Sequence, residues 1–154
     1  MNIDDKSLVI GGTKVKTWSR GYVPIGKELY VNDYIENHKG AKASVIKIPK
    51  VLNKSYMVEI KANGKKIICT PETLVLTKPK DVNKVHPINK VLVDDNAWAT
   101  AESLNIGDIV VMEGGEYNVD SVQILMYTCS QLVYGVITTM SKSFIANDFY
   151  VKNY

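Results

Sequence analysis

The sequence predicts an all-β fold, one compact body with internal pseudo-twofold symmetry. Three observations carry the prediction. Helical periodicity is nowhere sustained beyond about one turn. Asn63-Gly64, a strong two-residue hairpin signal, separates two segments that read as strands. A unit also recurs: shifted by 75 residues, Val23 meets Trp98, Leu29 meets Leu104, Val31 meets Ile106, Asp33 meets Asp108 and Ile35 meets Val110. Each copy reads as a short strand, one helical turn closing on leucine, a polar turn ending in aspartate, and a second strand. Two copies cannot build a solenoid. They predict two similar halves, about 8–80 and 90–153, within a single domain spanning residues 1–154.

The elements follow in order. Ser7 to Val15 is rich in β-branched residues and broken by Gly11-Gly12, which predicts strand, bend, strand. Gly-Gly-Thr-Lys there lacks the G-x-x-x-x-G-K-[ST] spacing that wraps backbone N–H groups around a phosphate. After the first repeat copy, Ala43 to Ile48 is a strand candidate. Residues 55–61 alternate cleanly and 65–70 return as their hairpin partner. Pro71-Glu72 interrupts before the strand Leu74 to Thr77. Lys78 to Lys90, with Pro79 and Pro87, reads as a surface loop, and Lys90 to Val93 as a short apolar piece. Beyond the second copy, Glu113-Gly114-Gly115-Glu116 is a turn, and Tyr117 to Thr128 and Leu132 to Thr139 are strands. The chain closes on a hairpin: Phe144, Ala146, Phe149 and Val151 are apolar on either side of Asn147-Asp148.

Composition narrows the function. With 154 residues, 45% hydrophobic and 23% charged, the chain can bury a core and is not disordered. No apolar run approaches the roughly 20 residues of a membrane-spanning helix. Met1 to Lys6 is polar and acidic, so it is read as a native start without a secretory leader. The net charge of +3 is carried almost wholly by lysine, with Arg20 the only arginine, which disfavours nucleic-acid reading. Cys69 and Cys129 both lie in apolar stretches and read as reduced core residues. His38 precedes Lys39-Gly40 and His86 precedes Pro87, so both read as loop residues. Neither C-x-x-C nor H-x-x-x-H spacing occurs, and no metal or other cofactor is expected. Richness in Lys, Asn, Ile and Tyr fits an A+T-rich genome, such as that of a low-GC bacterium or its phage.

Four blocks in order then resemble the Hint domain, the fold shared by inteins and the hedgehog autoprocessing module. Gly11 to Val15 with Val23-Pro24-Ile25 and Leu29 to Asp33 resembles its opening block. Ile68 to Thr77, reading I-C-T-P-E-T-L-V-L-T, resembles the T-P-x-H-x-h-L-T block, where h is apolar. Trp98 to Ala101 with Leu104 to Asp108 resembles a later strand block. Val133-Tyr134, Phe144 to Asn147 and Val151-Lys152-Asn153 resemble the closing F-I-A-N-G and V-H-N. The resemblance runs from about Leu8 to Asn153 and implies a compact horseshoe or disc of strands, without a homing-endonuclease domain.

In that family a first-position Cys or Ser attacks the preceding carbonyl. The threonine and histidine of the T-x-x-H block stabilise that carbonyl and protonate the departing nitrogen. A terminal asparagine, helped by the histidine before it, cyclises and cuts the backbone. No cofactor takes part. Carried over, the nucleophile position is Leu8, with Ser7 available only if the register slips by one. Thr70 is retained, the block histidine is Thr73, and the aspartate after Val-Tyr is Gly135. Lys142 replaces the histidine before Phe-Ile-Ala-Asn, Lys152 replaces the penultimate histidine, and Asn153 is retained. A lysine there could polarise a carbonyl but not relay a proton near pH 7 without strong burial. The resemblance thus implies a catalytically degenerate domain kept as a structural or protein-binding module, an accessory part of a larger assembly such as a phage particle. It is expected in the cytoplasm, or in a virion if phage-encoded, with protein partners, no membrane and no small-molecule substrate. The alternative is residual self-cleavage by Asn153 cyclisation.

Other residues read structurally. Asp33 and Asp108 are turn formers and Trp98 is a core anchor. Tyr117, Tyr127, Tyr134 and Tyr150 line one sheet face, or mark a partner surface if exposed.

Overall fold

The computed structural model describes residues 6–78, 96–139 and 142–154. His86, most of the 78–90 loop and the 90–93 piece lie outside the described residues. The elements described are strands joined by turns, apart from one 3-10 turn at Ala101–Ser103. β1 (Val9–Ile10) and β2 (Lys14–Lys16) flank the Gly11-Gly12 bend, where Gly12 takes φ +86°, a conformation open to glycine. β3 (Tyr22–Pro24) folds back on β2. β4 (Tyr34–Glu36) and β5 (Lys42–Lys47) form a second, smaller sheet, to which a late strand is added. β6 (Lys50–Asn53) follows, then the hairpin β7 (Met57–Ala62) and β8 (Lys65–Cys69), and then β9 (Leu74–Lys78).

β10 (Ala97–Thr100) pairs with β9, and β11 (Ile109–Met112) pairs with β12 (Gly115–Leu125). β13 (Gln131–Tyr134) joins β1 and β6, and β14 (Ile137–Thr138) joins β5. β15 (Ser143–Ala146) and β16 (Phe149–Lys152) form the closing hairpin. One antiparallel path runs β3-β2-β15-β16-β9-β11-β12-β7-β8-β1-β13-β6, with β10 beside β9. The last hairpin therefore lies between β2 and β9. Phe144 and Phe149 are fully buried with Val9, Val15, Ile25 and Ile35 in the main core.

The turn chemistry matches the sequence. Asn63 and Gly64 take φ 51° and 72°, and Asn147 and Asp148 take φ 48° and 73°. Paired positive φ values suit the right-handed twist of the flanking strands. Asn147 is also a tie between elements: its side chain accepts from the Lys14 N–H (2.9 Å) and donates to the Lys66 carbonyl (2.9 Å).

The recurring unit repeats its turn hydrogen bonds. Asp33 Oδ2 accepts from the Tyr30 N–H (2.7 Å), as Asp108 Oδ2 does from the Asn105 N–H (2.8 Å). The next bonds correspond too: Asn32 and Asp33 bracket Val45 as Gly107 and Asp108 bracket Val119. Leu29 and Leu104 are both buried in the main core.

Several expectations are corrected. Leu132 to Thr139 is not one strand: it breaks at Gly135, whose N–H turns to the Pro49 carbonyl (2.9 Å). β12 ends at Leu125, short of Thr128. Cys69 is buried but Cys129 is exposed, so only one cysteine is a core residue. Trp98 is half-buried. The four late tyrosines do not share a face: Tyr117 and Tyr134 pack on the core, Tyr127 is exposed, and Tyr150 lies beside His38.

Candidate functional site

The start of the chain, the Thr70-Pro71-Glu72-Thr73 turn and the chain's last residues converge. β1 is held between β8 and β13, with Val9 opposite both Cys69 and Tyr134. This carries Leu8 onto the Thr70–Thr73 turn, which closes through a Thr73 N–H to Thr70 carbonyl bond (3.0 Å). Thr73 leads into β9, whose Val75 pairs with Val151 of β16. That antiparallel register runs Asn153 back toward Thr73.

The hydroxyl of Thr73 is fully buried and grips Leu8 twice. It accepts from the Leu8 N–H (3.0 Å) and donates to the Leu8 carbonyl (3.0 Å). That carbonyl also takes the Thr70 N–H (3.0 Å). Thr70 Oγ1 lies 2.8 Å from Thr73 Oγ1 and 3.5 Å from the Leu8 carbonyl. With the Thr70 hydroxyl donating to Thr73, every donor in the cluster has an acceptor. The Leu8 side chain packs with Met57 and Val133 in a small second core, edged by Ile10, Ile68, Leu125 and Tyr154. Ser7 is also fully buried, and its hydroxyl oxygen accepts from the Leu74 N–H (3.1 Å).

At the other end, Asn153 Nδ2 donates to Thr138 Oγ1 (2.8 Å), and the Asn153 N–H donates to the Lys142 carbonyl (2.9 Å). The Tyr154 N–H donates to the Val136 carbonyl (3.0 Å). The two ends meet at Gly135. A Cβ on that residue would lie 2.8 Å from Tyr154 Cβ and 2.9 Å from the Ser7 carbonyl oxygen. The absent side chain is therefore what lets Ser7 and Tyr154 pack here together.

Ser7 and Leu8 thus meet the T-x-x-T turn and Tyr154 on one continuous path of antiparallel strands. The chain is similar to the bacterial intein-like domain from Clostridium thermocellum, with 16% identity and a TM-score of 0.75 over 95% of this chain and 98% of that one. It is similar to the gp41-1 intein, with 20% identity and a TM-score of 0.70 over 96% and 98%. The DnaB intein from Synechocystis sp. PCC 6803 matches with 18% identity and a TM-score of 0.72 over 96% and 99%.

The fold is that of the inteins.

No family model and no curated protein sequence matches the chain. The likeness to inteins therefore rests on shape, and the roles of individual residues rest on geometry. The near-complete coverage of both chains fits a small intein fold without an inserted endonuclease. The structure gathers Leu8, Thr70 and Thr73 into one network and places Asn153 and Lys152 at the end of β16. Lys142 is exposed, and its carbonyl anchors Asn153.

Two groups in this region were not singled out by the sequence. Thr138 holds Asn153, but a threonine in a strand gives no signal of that. His38, read as a plain loop residue, is packed against β15. Its backbone N–H and its Nδ1 lie 3.0 Å and 2.6 Å from Ser143 Oγ, and its ring meets Trp98 and Tyr150 edge to face. Ser143 Oγ accepts from that backbone N–H and is hydrogen-bonded to the ring at Nδ1. Burial, with Lys39 nearby, lowers the His38 pKa. The Cys69 thiol, beside Thr73, is pushed up to about 12 by burial, so it stays protonated and is a poor nucleophile. Among the described residues no group of His, Cys, Asp and Glu is arranged to hold a metal ion.

Proposed function

We propose that this chain is a catalytically degenerate intein-type domain retained as a structural or protein-binding module, an accessory part of a larger assembly such as a phage particle. The observation that carries the reading is the double grip of Thr73 on Leu8. Leucine offers no nucleophile. A threonine hydroxyl does not titrate near neutral pH and so makes a poor general acid for a departing amide nitrogen. Ser7 does not rescue the step, because its hydroxyl oxygen is engaged by the Leu74 N–H inside a fully buried site. The network suits holding a strand in place, since both backbone groups of Leu8 and both threonine hydroxyls find partners within it.

A second reading keeps one step. Asn153 is present, and its Nδ2 is ordered on Thr138. That nitrogen would attack the Asn153 carbonyl carbon, a succinimide would form, and the Tyr154 amine would leave with a proton. Against it, the Tyr154 N–H is tied to the Val136 carbonyl, and Lys152 stands where an imidazole would assist. The intact mass of purified protein after several days at 37 °C separates the readings. The module reading expects the full-length mass. A product lacking one tyrosine and ending in a succinimide establishes the second reading instead.

A further inference from the structure

We propose that the outer face of the small β4–β5 sheet is a docking surface for a protein segment that presents carboxylates beside apolar side chains. The proposal rests on the binding-module reading and names its surface. Strand alternation buries Ile35, Ala43 and Val45, and turns Tyr34, Lys42, Ser44 and Ile46 outward. Trp18 lies alongside, its N–H bonded to the Tyr34 carbonyl (2.8 Å). Tyr30 and Val31 belong to the turn that pairs with Val45 through Asn32 and Asp33. These five large apolar side chains, Trp18, Tyr30, Val31, Tyr34 and Ile46, are between 47% and 58% exposed. Tryptophan, tyrosine and arginine are the residue types that dominate binding energy at interfaces. The chain's only arginine, Arg20, lies at the Tyr30–Asp33 turn.

The charges on the face specify the partner. The Arg20 guanidinium lies 5.9 Å from the Tyr30 ring centre and bonds to Asp33 (2.6 Å) and the Glu28 carbonyl (3.0 Å). Asp33 is thus occupied by Arg20 and by the Tyr30 N–H. Glu36 leans away to Lys16 (3.5 Å). Lys42 has its ammonium 4.2 Å over the Tyr34 ring and 5.9 Å from the Trp18 ring, with no carboxylate in ion-pair range among the described residues. A cation held against two exposed aromatics, with Asp33 and Glu36 already engaged, leaves a positive, aromatic patch around Lys42. An acidic side chain next to an apolar one complements it, whereas a basic segment would be repelled.

The test is selection of random twelve-residue peptides displayed on phage against the immobilised full chain, followed by affinity measurement on synthetic copies of the enriched peptides. Enriched sequences should carry Asp or Glu beside Leu, Ile or Phe. Their affinity should fall with added salt and drop about thirtyfold in Trp18→Ala and in Tyr34→Ala, as truncated hot spots do. Lys42→Glu should abolish it, and Leu132→Asp, at another exposed apolar site, should leave it unchanged. Thermal melts confirm that the variants are folded. No enrichment, enrichment without acidic residues, or affinity indifferent to Trp18 and Tyr34 overturns the proposal. So does concentration-dependent self-association that Trp18→Ala removes, which would make a second copy the occupant. A chain found to cut itself would sink the module reading and leave the peptide result standing, so the two failures are distinguishable.

Discussion

Replacing Thr73 with valine removes one hydroxyl and almost no volume. The buried Leu8 N–H loses its acceptor at 3.0 Å. A buried N–H left unpaired costs about 1–3 kcal/mol. The Leu8 carbonyl loses one donor but keeps the Thr70 N–H at 3.0 Å, and the Thr70 hydroxyl can swing to that same carbonyl, now 3.5 Å away. The net cost of Thr73→Val is therefore about 2 kcal/mol, dominated by one orphaned donor. In a domain of this size that lowers Tm by about 6 °C. Thr70→Val strips a hydroxyl without stranding the Leu8 N–H, so it should cost less than about 1 kcal/mol. Urea melts on both variants and the parent measure the two numbers. A Thr73→Val variant within about 0.5 kcal/mol of the parent, or a Thr70→Val variant that costs as much, would refute the claim that Thr73 holds the first strand.

Three further outcomes follow from the geometry. Gly135→Ala should lower stability by at least about 2 kcal/mol in a thermal melt, because its Cβ would meet Tyr154 Cβ at 2.8 Å and the Ser7 carbonyl at 2.9 Å. Gly135→Asp places the same Cβ there and should therefore destabilise the chain as well. Asp108→Ala removes one turn bond and should cost about 1 kcal/mol by denaturant unfolding, and Asp33→Ala, which also loses the Arg20 ion pair, should cost slightly more. For His38 the sign follows from its lowered pKa. The unfolded chain takes up a proton near 6.5 while the folded histidine resists it, so stability falls as pH drops below 6.5 toward the folded pKa. His38→Gln should flatten that limb in urea midpoints measured between about pH 6.5 and 5.5.

Much of this fold could be read along the chain because its turns carry local chemistry. Asn63-Gly64 and Asn147-Asp148 adopt the positive φ values their residue types favour, and Asp33 and Asp108 cap their turns at equivalent points of the recurring unit. The features that escaped are set by distant partners. The break at Gly135 depends on Pro49, Ser7 and Tyr154, which alternation within Leu132 to Thr139 cannot reveal. Cys129 lies in an apolar stretch yet is exposed, because β12 stops at Leu125 and the chain leaves the sheet there. His38 acquires its character from Ser143, 105 residues later. At the site the contacts are again set by distant partners: Thr73 holds Leu8, 65 residues away, and the bare Gly135 accommodates Ser7 and Tyr154.

The most direct test gives the fold something to cut. The chain is extended by about ten residues on each side, purified, and incubated for several days at pH 7 and 37 °C, and its intact mass is followed over time. The account predicts a single unchanged mass, with both flanking segments still attached. Steady appearance of either freed flank, or of the two flanks joined without the domain between them, would contradict it.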